Sequence, residues 1–169
     1  EQYKFDILKE LNEKLEIQDV SENNIIEIIK LLTKKNPNKG SFVHWSNLDD
    51  LKSFAVEQSG EVSRLLKKLF NNELTIMERI NKFLNEARKF DENISLGTPL
   101  FAYIMTAFDY KNYSIYKDSS FQSFCKCYDL NIPFNVAEKY DYYINISREL
   151  KNIVLDKYDS EINIMEVQD

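Results

Sequence analysis

The chain of 169 residues has 30% charged and 43% apolar residues and a net charge of −6, the size and balance of one globular domain with its own core. One histidine and three glycines exclude histidine-rich metal sites, make histidine-based triads implausible and leave no GxGxxG or GxxxxGK loop to cradle a phosphate. No apolar run approaches the roughly 18 residues of a membrane span, and no charged-then-apolar leader opens the chain.

The first residues, Glu1-Gln2-Tyr3, lack a methionine, and the expectation is a domain belonging to a longer protein. Residues 3–16 place Phe5, Leu8, Leu11 and Leu15 at helical spacing. Ser21 reads as the N-cap of a second helix with Ile25, Ile28, Ile29 and Leu32 inward, ended by the lysine-rich "KKNPNKG" at 34–40, the best place for a sub-boundary. "SFVHW" at 41–45 reads as a minor extended segment. Ser46, with Asp49 three residues on, then opens a helix with an apolar stripe of Leu48, Leu51, Phe54 and Ala55.

Gly60 is expected to break that helix before Val62, Leu65, Leu66 and Leu69 begin the next inward stripe. In "LTIMERINKFLNEARKF" the T-x-x-E box of Thr75 and Glu78 starts a helix that buries Ile76, Ile80, Phe83, Leu84 and Ala87. Thr98-Pro99 starts the next, and "LFAYIMTAF" behind it is apolar nearly all round, as a central buried helix would be. A short helix over about 119–128 and a long one over about 136–157, opened by Asn135 and Glu138, complete the chain. The fold class is therefore mainly α, a single compact helical domain of about seven or eight helices over 1–169.

Charge is uneven along the chain. Residues 1–22 carry three bases and seven acids, and residues 138–169 four bases and eight acids. Residues 62–90 carry seven bases and three acids. Within that basic stretch Arg64, Lys67 and Lys68 share one helix, and Arg79, Lys82 and Lys89 share the next. Packed as a hairpin, the two would present six cations for the backbone phosphates of double-stranded DNA. The same residues equally suit a solvated surface laced with ion pairs such as Glu78–Lys82.

The aromatic stretch 109–130 divides in two. Tyr113 and Tyr116, beside Lys111 and Lys117, fall between helices, where exposed rings could stack on a base. Phe121, Phe124 and Tyr128 have helical spacing and read as core. Trp45, next to the sole histidine, His44, reads either as a partly buried plug or as a ligand anchor. Cys125 and Cys127, two apart on a helix, point to different faces and read as reduced thiols of a cytoplasmic protein. No catalytic constellation, metal site or cofactor is expected, and no enzyme within this chain.

Residues 59–90 and 96–130 resemble the region N-terminal to the motor in AAA+ restriction proteins of the McrB type. The matching residues are Leu69-Phe70, Leu74, Glu78-Arg79 and Phe83, then Tyr113, Tyr116-Lys117 and Phe124-Cys125. The resemblance covers under half the chain and implies a recognition domain in an anti-phage defence system. The nucleotide-hydrolysing motor and the nuclease partner subunit would lie outside these residues. On that basis Arg64, Lys67, Lys68, Arg79, Lys82, Lys89 and Lys117 would meet DNA, and Tyr113, Tyr116 and Trp45 a base, one carrying a modification included. The alternative, favoured by the acidic ends and the apolar surplus, is a protein-interaction or regulatory module of the same kind of complex.

Overall fold

A computed structural model describes residues 2–33 and 42–158, with Ile162 and Ile164. Eight helices make up the described residues, without a strand: α1 (Gln2–Lys14), α2 (Ile25–Leu32), α3 (Trp45–Glu57), α4 (Ser59–Leu69), α5 (Ile76–Phe90), α6 (Thr98–Phe108), α7 (Asp118–Cys127) and α8 (Val136–Tyr158). A short 3-10 turn, Ile17–Asp19, joins α1 to α2. The mainly helical reading holds, and the sub-boundary expected at 34–40 falls outside the described residues.

α6 is the centre. Thr98 and every residue from Leu100 to Phe108 are buried, as a helix without a polar face requires. α1 and α8 pack against it, α5 packs on α8, α4 on α5, and α3 and α2 close the far side. One apolar core runs from Leu8 through Ile25, Leu51, Leu66, Phe83 and Phe101 to Ile144. The polar ends of α6 find partners. Asn12 of α1 donates from Nδ2 to the Phe108 carbonyl, one of the acceptors that a helix C-terminus leaves open. Tyr103 donates to the Leu32 carbonyl at 3.0 Å, tying α6 to the end of α2.

Helix starts follow local chemistry. Thr75 accepts from the Glu78 N–H while Glu78 accepts from the Thr75 N–H, the reciprocal pair that the T-x-x-E spacing predicts. Three starts differ from expectation. α2 begins at Ile25 and not behind Ser21, because Asn24 Oδ1 accepts from the Ser21 N–H at 2.8 Å and folds residues 22–24 into a turn. α3 begins at Trp45, with His44 as its cap accepting from the Ser46 N–H, so Ser46 lies inside the helix and 42–43 bend instead of extending. Gly60 breaks nothing: the chain turns at Gln58, and Gly60 lies in the first turn of α4.

The two described glycines with close neighbours make a contrasting pair. A methyl group at Gly97 would stand 3.0 Å from Asn47 Oδ1. That oxygen is already fixed, since Asn47 accepts from the Gly97 N–H and donates to the Ser95 carbonyl at 2.7 Å. At Gly60 the near atom is the Glu22 carboxylate at 3.2 Å, the far end of a flexible, exposed side chain. Gly97→Ala is therefore expected to cost about 1–3 kcal/mol through the broken Asn47 clasp. Gly60→Ala is expected to be neutral or to add up to about 1 kcal/mol from helix propensity. Thermal melts of both variants check this, and equal losses would contradict it.

Candidate interaction surface

α4 and α5 pack antiparallel, since Glu61 at the start of α4 feels Lys89 near the end of α5, and Arg64 feels Glu86. The hairpin expected from the sequence thus forms, but its six cations do not share one fate. Arg79 is only 6% exposed. Its guanidinium donates to the Leu69 carbonyl at 2.7 Å, to the Thr75 carbonyl at 3.3 Å and to the Tyr113 hydroxyl at 3.1 Å. A cation placed on the last carbonyls of α4 meets the negative end of that helix, so Arg79 is a buried clasp and not a phosphate contact. Arg64 is held by Glu61 through two hydrogen bonds, and the guanidinium beside it holds the Glu61 carboxyl below its usual range. Lys89 pairs with Glu86 at 2.8 Å. Lys67 and Lys82 are exposed and Lys68 half-buried, so the hairpin face mixes both signs.

The rings expected in an exposed loop are inside. Tyr113 is 4% and Tyr116 3% exposed. The reason lies in α8: Tyr140 donates to the Ser114 carbonyl at 3.0 Å and Tyr143 to the Ile115 carbonyl at 2.8 Å. These bonds satisfy the backbone of the connector, which lets residues 113–116 sink into the core without orphaned polar groups. Tyr116 also donates to Asp118 at 2.5 Å and meets Phe121 and Tyr143 edge-on. Neither ring can stack on a base in this conformation. Lys117 is exposed beside them.

The large apolar side chains that do reach solvent lie elsewhere. Trp45 is 66% exposed at the start of α3, its ring 5.5 Å from that of His44. Three more lie in the segment that joins α7 to α8, where Tyr128 is 67% and Phe134 99% exposed and Leu130 is also exposed. The expectation that Tyr128 belongs to the core fails. A ladder of rings leads out to it: Phe121 stacks on Phe124 and Phe124 lies 4.9 Å from Tyr128.

Local geometry fixes that segment. The Leu130 N–H donates to the Cys125 carbonyl at 2.9 Å, and Asp129 adopts φ 53°. This is the αL exit that helices usually assign to glycine, here taken by aspartate. At the other side Asn135 Oδ1 accepts from the Glu138 N–H at 2.8 Å and caps α8. A residue just before such a cap usually packs on an apolar side chain five positions later. Phe134 would meet Lys139 there, so the helix start gives its ring no apolar partner.

Cys125 is buried and Cys127 exposed, and both are free thiols; burial pushes the Cys125 thiol up. Among the described residues no three His, Cys, Asp or Glu side chains gather as a metal site would require. No described helix is long and apolar enough to cross a membrane. The sequence reading did not single out Phe134; the signal that marks it is a phenylalanine before an Asn-x-x-Glu start with lysine, not an apolar residue, five places on. Compared with protein-family models, curated proteins and solved structures, the chain finds no match in any of the three.

Proposed function

We propose that this domain is a protein-interaction module and that the corner between α7 and α8 is its contact surface. The observation that carries this reading is Phe134, 99% exposed in the same connecting segment as the exposed Tyr128 and Leu130. Exposed aromatic side chains on a rigid base are the usual energetic centres of protein interfaces. The Asp129 exit, the Asn135 cap and the ring ladder supply the base, so little order is lost on binding. The test is site-specific photo-crosslinking in cells, with the reactive side chain at position 134 and, as control, at the exposed Lys52. The expected result is a discrete protein adduct from position 134 alone. Equal labelling from both positions would overturn the reading.

A second reading, DNA recognition in the manner of McrB-type restriction proteins, is supported by the exposed Lys67, Lys82, Lys117 and Trp45. It loses Arg79, Tyr113 and Tyr116 as contacts and keeps a face where acids interleave with bases. Fluorescence anisotropy against plain and cytosine-modified duplexes at two salt concentrations separates the two. Phosphate binding weakens steeply with salt, whereas an apolar corner does not.

A further inference from the structure

We infer that α7 is a lid: it swings out as a unit about a hinge at Lys117 while the other helices stay folded. Three observations lead there. The first is how little holds it. Among the described residues every other helix packs along a neighbour, and α7 lies along none. Only Phe121 and Cys125 of its ten residues are buried, whereas α4, with eleven, buries five. The main hold is one ring. Phe121 stands edge-on to Tyr143 at 5.2 Å, to Tyr116 at 5.7 Å and to Tyr142 at 6.1 Å. An element with so few buried side chains opens at a lower free energy than the fold as a whole.

The second is the pair of tethers. On the near side burial stops abruptly: residues 113–116 are in the core and Lys117 is exposed, in extended backbone and without a side-chain cap for α7. On the far side residues 126–135 hold no buried side chain. Ten such residues span up to about 33 Å, twice the roughly 15 Å length of α7 itself. The helix can therefore turn about Lys117 without pulling on the Asn135 cap of α8.

The third is what stays behind. The connector is held from elements other than α7. Arg79 of α5 donates to the Tyr113 hydroxyl, and Tyr140 and Tyr143 of α8 donate to the Ser114 and Ile115 carbonyls. Departure of α7 leaves each of these bonds in place and orphans no backbone group of the connector. What it uncovers is apolar: the faces of Tyr116, Tyr142 and Tyr143 on which Phe121 rests.

The experiment reads the thiol of Cys125, which is 1% exposed in the closed position. In a Cys127→Ser background it is the sole thiol of the chain. Its labelling by dithiobis(nitrobenzoate) in native buffer is compared with that of the same chain unfolded in urea. The expected native rate is about a thousandfold slower, the protection that burying one ring and one thiol provides. It should be nearly flat in urea up to the unfolding transition, because opening a lid exposes little surface. Phe121→Ala should raise it at least tenfold, and Phe121→Leu, which keeps an apolar side chain, should raise it by less. Ile25→Val, in the core side of α2, should lower the urea midpoint and leave the labelling rate unchanged. A rate that climbs with the full slope of global unfolding, and quickens in Ile25→Val in step with the midpoint, overturns the lid. So do Phe121 variants labelled no faster than their parent. A native rate equal to that of the unfolded chain overturns it as well, since α7 would then have no closed position to leave.

Discussion

Replacing Arg79 by alanine is expected to destabilise the domain by about 3 kcal/mol, read as a lower urea midpoint at an unchanged slope. The guanidinium is buried, and its hydrogen bonds run to the Leu69 carbonyl, the Thr75 carbonyl and the Tyr113 hydroxyl. Removing it leaves the Leu69 carbonyl and the Tyr113 hydroxyl in the core with no donor and no cation, at about 1–3 kcal/mol for each group. Lysine should not rescue, since one ammonium on a flexible stem cannot reproduce the planar fork that reaches α4 and Tyr113 together. Tyr113→Phe removes one acceptor and should cost about 1 kcal/mol. The Arg79→Ala, Tyr113→Phe double variant should cost less than the sum of the singles, because the two share a bond. The exposed Lys82→Ala is the control and should stay within about 0.5 kcal/mol of wild type. An Arg79→Ala variant as stable as that control would show that the clasp does not hold α4 to the connector.

Arg79 also shows where reading the sequence stops. Its spacing with Lys82 and Lys89 is that of a basic stripe, and helical periodicity alone puts it on the edge of the polar face. The buried clasp depends on the Leu69 carbonyl, ten residues back, and on Tyr113, 34 residues on. Neither separation leaves a local pattern. The elements that were legible are those with local causes: the capping box of Thr75 and Glu78, the Pro99 start of α6, its all-round apolar surface, and the inward stripes of α4 and α5. Boundaries set by a single side chain were missed. His44 replaced Ser46 as a cap, and Asn24 closed a turn where Ser21 was expected to begin a helix.

The connector 109–117 is the larger lesson. Loops usually run over the surface because buried backbone needs partners. The stretch 113–116 of this connector is inside because Tyr140 and Tyr143, spaced i and i+3 on α8, each donate a hydroxyl to its carbonyls. The sequence "KYDYY" held that information, but only the packing of α8 on α6 turns it toward the connector. The corner surface has the opposite history. Tyr128 has the helical spacing of a core residue, yet the chain leaves α7 at Asp129 and the ring is 67% exposed, as is Phe134 at 99% just before the Asn135 cap. Residue type predicts burial only where the fold supplies a neighbour.

The same tyrosines make the domain sensitive to alkali. Burial pushes the Tyr103 and Tyr143 hydroxyls up to about 12, and raises Tyr140 well above the usual phenol range. Tyr116 is raised too, by burial first and then by its bond to the Asp118 carboxylate. In the unfolded chain these phenols ionise near 10. The folded state thus holds the proton more tightly, so its stability is level below pH 10 and is lost as pH rises from about 10 through 12. Each phenol held from 10 to about 12 corresponds to on the order of 3 kcal/mol. Tyr103 and Tyr143 together therefore match the lower end of the stability of a typical domain. The expected outcome is that the phenolate absorbance of these rings does not rise gradually near pH 10. It appears in one cooperative step near pH 12, together with loss of helicity by circular dichroism. Tyr143→Phe should move that step to higher pH, while costing about 1 kcal/mol at neutral pH through the lost bond to the Ile115 carbonyl. Independent, non-cooperative ionisation of all the tyrosines near pH 10 with helicity intact would mean that the connector opens without the rest of the fold. Tyr113 and Tyr116 would then be reachable from solvent after all.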